Sequence, residues 1–464
     1  MAYRILMSAF LLVLWVSPSA TAQERPNIIL IMCDDLGWGD LSFNNPKSKI
    51  QTPHLDEMAK NSLRFSRFYA AAPVCSPTRG SCLTGRHPLR YGITGANKGH
   101  LKQSETTITK LAKSRGYATG HFGKWHLGTL TKKIKDSNRG GPKSPQHFAP
   151  PWERDFDVCF STEAKVPTFD PLLKPKQAPR TAWDSIEPDK RNESEVYGTR
   201  YWNEKGESVE DDLFGDDSKL IMDRAVKFIG QCAEDKKKFF TVIWFHSPHL
   251  PVVAGPRHRK PYESMNVHQR NYFGCITALD EQIGRLRKLL RDKKISEDTI
   301  IFFCSDNGPE GNQSAPGLTG GFRGRKRSLY EGGVRVPALI EWPAKIKAGS
   351  STDFPAVTSD YLPTVAQILD VDVSKVHLDG ESLAGVWAKG QKERKWPIGF
   401  KFGAQKSWVA NQFKIYKSKN RDWELYDLIQ DPKESQNLAE KEPQTLKKMK
   451  SEFEKWEASL APNQ

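Results

Sequence analysis

The sequence predicts an α/β protein: a large mixed, mostly parallel sheet flanked by helices, followed by a smaller C-terminal domain of antiparallel strands and a helix. Runs at Ile28 to Cys33, Phe239 to Phe245, Ile300 to Cys304 and Ala338 to Trp342 are continuously apolar and stop at Gly, Pro or Asp, as strands buried on both faces do. Helical patterns lie between them. Ile276, Leu279, Ile283, Leu286 and Leu290 recur at steps of three and four, a single apolar stripe. Strands alternating with helices give a parallel sheet covered on both sides. The texture changes after about Gln391. Short alternating runs at Ile398 to Phe402, Trp408 to Val409, Phe413 to Tyr416 and Trp423 to Tyr426 read as antiparallel strands, and Leu446, Met449, Phe453, Trp456 and Leu460 as a closing helix.

From the N-terminus, Arg4, the apolar run Ile5 to Val16 and Ala20-Thr21-Ala22 have the form of a signal peptide over 1–22. The run is short of the roughly 20 residues that a membrane-spanning helix needs. The reading is therefore an exported chain (periplasmic or secreted, lysosomal-type in a eukaryote) without stable membrane insertion. Residues 23–390 form the large domain and 391–464 the small α+β domain. Residues 130 to 215, rich in Lys, Pro, Asp and Trp without a steady period, read as a long surface excursion facing substrate.

Composition narrows the class. The 464 residues are 38% apolar and 27% charged, with 34 Gly and 30 Pro, which excludes collagen-like, disordered and polytopic membrane chains. Seven cysteines, an odd number in an exported chain, leave at least one unpaired or chemically special. Cys33 and Cys304 end strand-like runs and read as small buried hydrophobes. The 70 Lys plus Arg exceed 55 Asp plus Glu, a net charge of +15, and a field of that sign concentrates polyanions. No nucleic-acid module accompanies the basic clusters, so an acidic glycan is the expected polyanion.

Ligand sites in such sheets gather beyond the carboxyl ends of strands. Asp34-Asp35, His246 with His249, and Asp306-Asn307 each follow a strand run, so three distant polar groups converge on one edge. Asp34, Asp35, Asp306 and Asn307 offer only oxygen, which favours a hard cation, calcium or magnesium, over zinc. Either pair alone is more often a cap or turn.

The segment Cys75-Ser76-Pro77-Thr78-Arg79 with Leu83-Thr84-Gly85-Arg86 resembles the signature of type I sulfatases, in the alkaline-phosphatase-like superfamily, nearest in appearance to arylsulfatase A and N-acetylgalactosamine-6-sulfatase types. Cys82 departs from the larger apolar residue of that pattern. Gly116 to His126 is similar to the family's second signature, with a bulkier Phe122; His246-Ser247-Pro248-His249 matches its H-x-P-H pattern, and Lys326 precedes Tyr330-Glu331-Gly332-Gly333 at its spacing. The resemblance makes 23–390 a sulfatase catalytic domain. It implies that a formylglycine-generating enzyme oxidises Cys75 to formylglycine, whose hydrate offers one hydroxyl to attack sulfur and another to expel sulfate. It also implies that Asp34, Asp35, Cys75, Asp306 and Asn307 hold calcium. Arg79 is then a fixed donor fork to the hydrate. Lys124, His249 and Lys326 contact the sulfate, His249 supplying a proton to the leaving alcohol, and His126 is the base that releases sulfate. His246 is left open between a site role and a structural one.

The expected activity is sulfate ester hydrolysis on a sulfated carbohydrate, such as a glycosaminoglycan or another sulfated polysaccharide. The rivals are a phosphate or phosphonate ester hydrolase of the same superfamily and a silent binder of sulfated glycan in which Cys75 stays a thiol. His100, Lys98 and Lys102 follow the first signature closely, and His100 is the substrate contact expected from that stretch.

Overall fold

The computed structural model describes residues 25–460; the expected signal segment lies outside them. Seven principal strands build the large sheet: β1 (Asn27–Cys33), β2 (Leu63–Tyr69), β3 (Ala118–Lys124), β4 (Val158–Thr162), β5 (Phe239–Trp244), β6 (Thr299–Ser305) and β7 (Arg335–Glu341). Their spatial order is β2-β7-β6-β1-β5-β3-β4, with short strands added at both edges. The five strands from β6 to β4 run parallel, while β7 turns back antiparallel to β6 and to β2. This is the mixed, mostly parallel sheet that the strand and helix pattern called for.

The period-two geometry of a strand divides β1 between two cores. Ile28, Leu30 and Met32 join one face, and Ile29, Ile31 and Cys33 join the other. Because both faces are covered, no position of β1 needs to be polar, which is why its sequence shows no alternation. The helices Cys75–Thr84 and Tyr361–Leu369 pack on the first face. Asp217–Glu234 and Val267–Asp292 pack on the second. The stripe Ile276, Leu279, Ile283, Leu286 and Leu290 is buried there. No helix of the described residues is long and apolar enough to cross a membrane.

The 130–215 segment needs a correction. It is not wholly a surface excursion, since Val158–Thr162 is an inner strand of the sheet, paired with β3, and Tyr201–Trp202 extends the same edge. Five residues bounded by Asp157 and Glu163 are too few to stand out by periodicity. All seven cysteines are buried and free. Cys33 and Cys304 are small core residues as expected.

The strands Ile398–Phe402, Gln405–Val409, Phe413–Lys417 and Glu424–Asp427 form the C-terminal antiparallel sheet. On it the Pro443–Ala458 helix packs Met449 and Phe453. A fully buried charge cluster ties this sheet to the large one. The Lys414 ammonium bridges Glu331 (2.9 Å) and Glu434 (2.8 Å). Glu331 also accepts from Tyr69 (3.0 Å) and Arg335 (3.3 Å). Burial, opposed by Lys414, raises Glu434 to about 7.

Removing one partner of a buried ion cluster leaves the rest uncompensated, at a cost of about 3–5 kcal/mol. Lys414→Met is therefore expected to lower unfolding stability by that amount in urea titrations. Lys406→Ala, which breaks a half-exposed pair with Glu457, should change it by less than about 1 kcal/mol. Equal effects of the two substitutions would contradict the clamp.

Candidate active site

Parallel strands deliver their carboxyl ends to one edge, and the polar residues gather there. β1 ends into Asp34-Asp35, β6 into Asp306-Asn307, β3 at Lys124, β5 into the turn holding His246 and His249, and β4 into Glu163-Ala164-Lys165. Cys33 lies opposite Ser305 in the β1–β6 register, which sets Asp34 and Asp306 level. The Asp306 N–H donates to Cys33 O (3.0 Å), and that of Asp34 to Ser247 O (3.2 Å).

Cys75 is the first residue of a helix in which every residue to Thr84 is buried. Its sulfur and carboxylate oxygens of Asp34 and Asp306 all lie within 4.8 Å of one another. Burial raises the thiol's pKa, while Lys124 and Lys326 pull it down. One turn later, on the same helix face, Arg79 donates to Asp306 through Nε (3.1 Å) and Nη2 (2.8 Å) and to Lys124 O through Nη1 (3.0 Å). With all three guanidinium nitrogens so engaged, it is a fixed part of the wall.

Asp34, Asp35 and Asp306 are buried together. Burial opposes ionisation of Asp34, yet Lys124, His249, Arg79 and Lys326 hold it well below the usual carboxylate range. Asp306, raised by burial and then by Asp34, sits at about 7. Two buried oxygens, Asp34 Oδ1 and Asn307 Oδ1, have no hydrogen-bond partner. Buried acceptors without donors are costly. Together with a donor set made only of oxygen, they fit a hard divalent cation held by Asp34, Asp35, Asp306 and Asn307. The Cys75 sulfur stands where the oxygens of an oxidised side chain would complete that set.

The remaining groups converge on a cavity of about 260 Å³ lined by Cys75, Lys124, His126, His249 and Lys326, with Asn97 and Lys165. Lys124 binds Asp34, and Lys326 binds Asp35 at 2.7 Å and Glu310 at 3.3 Å. His126 Nε2 pairs with Asn97 Oδ1 (3.0 Å), so this nitrogen carries the proton. Nδ1 is then left with a lone pair, buried and unpartnered. Burial, reinforced by Lys124 and Arg79, holds the ring's pKa well below the usual histidine value, so His126 is neutral. His249 donates through Nδ1 to Leu250 O (2.6 Å) and places Nε2 3.7 Å from Asp35. A larger cavity of about 1060 Å³ lies at the amino ends of the strands, beside Arg25, Pro26 and Tyr117, and holds none of these groups.

Every proposed catalytic and metal-ligating residue thus lies at one edge. His100 does not line the cavity; its ring packs edge-on against His147, and Asn97 from the same stretch faces the site instead. His246 is buried between Asp217 (2.8 Å) and Thr162 (2.7 Å), the arrangement of a structural histidine. Sequence reading missed Asn97, Lys165 and Glu310. A positive φ marks Asp35, Asn97, His126 and Arg327, a strained conformation that clusters at functional sites and that single residue types do not announce.

The Sulfatase family profile matches residues 26–371, and the profile for the C-terminal region of N-sulphoglucosamine sulphohydrolase matches 321–459. The chain is 31% identical to N-acetylgalactosamine-6-sulfatase of Canis lupus familiaris over 71% of its own length and 60% of the relative's. It is 32% identical to arylsulfatase A of Homo sapiens over 80% of its length and 70% of the relative's. The chain therefore spans about 60% of the N-acetylgalactosamine-6-sulfatase that it matches. Among solved structures, Ps i-CgsB superposes with a TM-score of 0.79 at 28% identity, covering 93% of this chain and 92% of that one.

The turn carrying Asn307 depends on absent side chains. Gly308 donates to Gly333 O (2.9 Å), and a Cβ on Gly308 would lie 2.0 Å from Gly332 O. Gly308→Ala should accordingly cost at least about 1–3 kcal/mol. Gly230→Ala, in the Asp217–Glu234 helix with nothing within 4 Å of the added carbon, should gain about 0.5–1 kcal/mol. Thermal unfolding of the two variants checks the opposite signs.

Proposed function

This chain belongs to the sulfatase family, and from that premise we propose that it is an exported sulfuric ester hydrolase acting on a sulfated carbohydrate, with its nucleophile formed at Cys75. The observation that carries the reading is the convergence of Cys75, Lys124, His126, His249 and Lys326 on one cavity of about 260 Å³, beside three buried carboxylates. Oxidation of Cys75 to formylglycine would supply a hydrated aldehyde, with one hydroxyl for attack and one for release. Calcium held by Asp34, Asp35, Asp306 and Asn307 would supply positive charge against the sulfate oxygens. The relative named N-acetylgalactosamine-6-sulfatase, and the structure of Ps i-CgsB with k-i-k-neocarrahexaose at 28% identity, support a saccharide substrate.

The chain's own residues divide the work. Lys124 and Lys326 hold the sulfate by charge-assisted hydrogen bonds, which strengthen as charge moves onto the leaving oxygen. His249 gives a proton from Nε2 to the leaving alcohol once the sulfate's charge offsets the burial that otherwise keeps the ring neutral. His126 is pre-set as a base. Asn97 holds its proton on Nε2, so Nδ1 removes the proton that lets sulfate depart. Arg79 keeps the helix start and Asp306 in fixed relation.

Expressed with a formylglycine-generating enzyme, Cys75 should react with hydrazide probes, and Cys75→Ala should lose turnover but keep its fold. Near-normal activity of that variant would overturn the mechanism, and faster hydrolysis of aryl phosphate than of aryl sulfate would favour a phosphoester hydrolase. Calcium should copurify, and Asp306→Ala or Asp35→Ala should lose it with activity; stoichiometric zinc would contradict the oxygen site. In rapid-mixing kinetics, His126→Ala should release one equivalent of alcohol and then stall, whereas Lys326→Ala should slow that first phase by on the order of 10²-fold. Absence of the burst in His126→Ala would move this residue out of the release step.

A further inference from the structure

A second cavity, of about 430 Å³, adjoins the site and shares Lys165 with it. Its other walls include Lys174, Arg180, Trp183, Tyr197 and Pro251. The shared lysine follows directly from β4, and its backbone is pinned on both sides. Thr162 Oγ1 donates to Ala164 O (2.8 Å), and Thr199 Oγ1 donates to Lys165 O (3.1 Å). The segment carrying Arg180 and Trp183 is tied to the turn of His249, because the Val252 N–H donates to Thr181 O (2.9 Å). A short hairpin-like pairing of Leu173 with Val196 and Lys174 with Glu195 closes the far side.

The charges in this cavity are unevenly satisfied. Lys174 is held by Glu195 at 3.0 Å, and Asp184, beside Trp183, is taken by Arg270 and Arg259. Among the described residues, Lys165 and Arg180 have no carboxylate within ion-pair distance. Lys165 is half-buried, and burial followed by Lys124 and Lys326 lowers its pKa, so an anion there would relieve a real electrostatic cost. Half-buried Tyr197 adds ring surface of the kind that packs on sugar faces.

We propose that this cavity is a subsite for a second anionic group, a sulfate or carboxylate on the sugar next to the one bearing the scissile sulfate, read by Lys165 and Arg180. The substrate class is then a polyanionic oligosaccharide rather than an isolated sulfated monosaccharide or aryl sulfate. This rests on the sulfatase reading above and deepens it. Lys165 touches both cavities, so it couples recognition of the neighbouring residue to the sulfate held by Lys124 and Lys326.

The test uses full-length Cys75→Ala protein with calcium and measures Kd by calorimetry for galactose 4-sulfate and N-acetylgalactosamine 6-sulfate and for tetrasaccharides of ι-carrageenan, which carry sulfate on adjacent sugars and no carboxylate, and of chondroitin 6-sulfate, which carry sulfate beside carboxylate. At least one tetrasaccharide should bind at least tenfold tighter than the matching monosaccharide, and the type that does so identifies the second anion. Adding Lys165→Gln or Arg180→Gln should each remove about tenfold of that advantage, the loss of one charge-assisted contact. Exposed Arg180 is a position where folding is not at stake. Tetrasaccharides binding no tighter than the matching monosaccharide, or an advantage untouched by both substitutions, would overturn the subsite while leaving the sulfatase reading intact. Release of sulfate from the best-binding tetrasaccharide by the formylglycine-bearing enzyme is the separate arm. If binding depends on Lys165 and Arg180 but formylglycine-bearing enzyme frees no sulfate, the sulfatase reading fails, and the subsite fails with it.

Discussion

Three carboxylates buried within a few ångströms of one another repel, and the architecture at the carboxyl edge of the sheet is arranged around that repulsion. Asp34, Asp35 and Asp306 are each matched by a buried cation: Lys124, Lys326 and Arg79 respectively. Each cation arrives from a different element: the end of β3, the loop before Tyr330 and the helix that starts at Cys75. None of the three elements can shift without exposing an unpaired charge in a low-dielectric setting, a cost of several kcal/mol. The balance that holds the edge together therefore also sets where Cys75 stands. A divalent cation and the single negative charge of a sulfate ester would partly offset one another within the same framework.

Backbone packing brings the loops close enough for this balance to operate. Gly308 lets the Asp306–Gly308 turn lie against the Gly332–Gly333 backbone, and Gly332 and Gly333 let that segment lie against carbonyls of Phe322 to Ser328, at distances that any Cβ would prevent. Arg327 N–H donates to Pro73 O (2.9 Å), joining the lysine loop to the residues before Cys75. Behind the same segment, Glu331 enters the Lys414 cluster. The C-terminal sheet thus reaches the site through Glu331 and through Gln405, which donates to Arg327 O (2.7 Å) and accepts from the Leu329 N–H (3.0 Å), although it supplies none of the groups that line the reacting cavity. Its contribution is positional.

Two cavities meeting at Lys165 give the edge a direction. The proposed chemistry is concentrated on the side of Cys75, where nearly every polar group has a partner or a place in the oxygen set. The proposed recognition lies on the side of the 165–197 segment, where Lys165 and Arg180 stand without carboxylates. The segments differ in construction for the same reason. The chemical side is built from strand ends, whose positions are rigid, and the recognition side from irregular loops that can vary without disturbing the sheet.

The local and strongly periodic features are legible in the chain alone. Continuous apolar runs identify β1, β5 and β6, a three-four stripe identifies the Val267–Asp292 helix, and alternating short runs identify the C-terminal sheet. The motifs around Cys75, Lys124, His249 and Lys326 were legible because their residues are adjacent or nearly so, and strand ends foretold that they would meet. β4 was not legible, since five residues between acidic neighbours carry too little pattern. Asn97, Lys165 and Glu310 were hidden for a different reason: Asn97 and Glu310 are placed by partners elsewhere in the chain and Lys165 by the cavities that distant segments close around it, and a single polar residue has no periodicity. His246 and His249 make the same point within four positions, one sealed between Asp217 and Thr162 and the other open to the cavity. Only the tertiary structure separates them, because burial and partnership depend on which distant segment packs against each ring, and no local pattern records that.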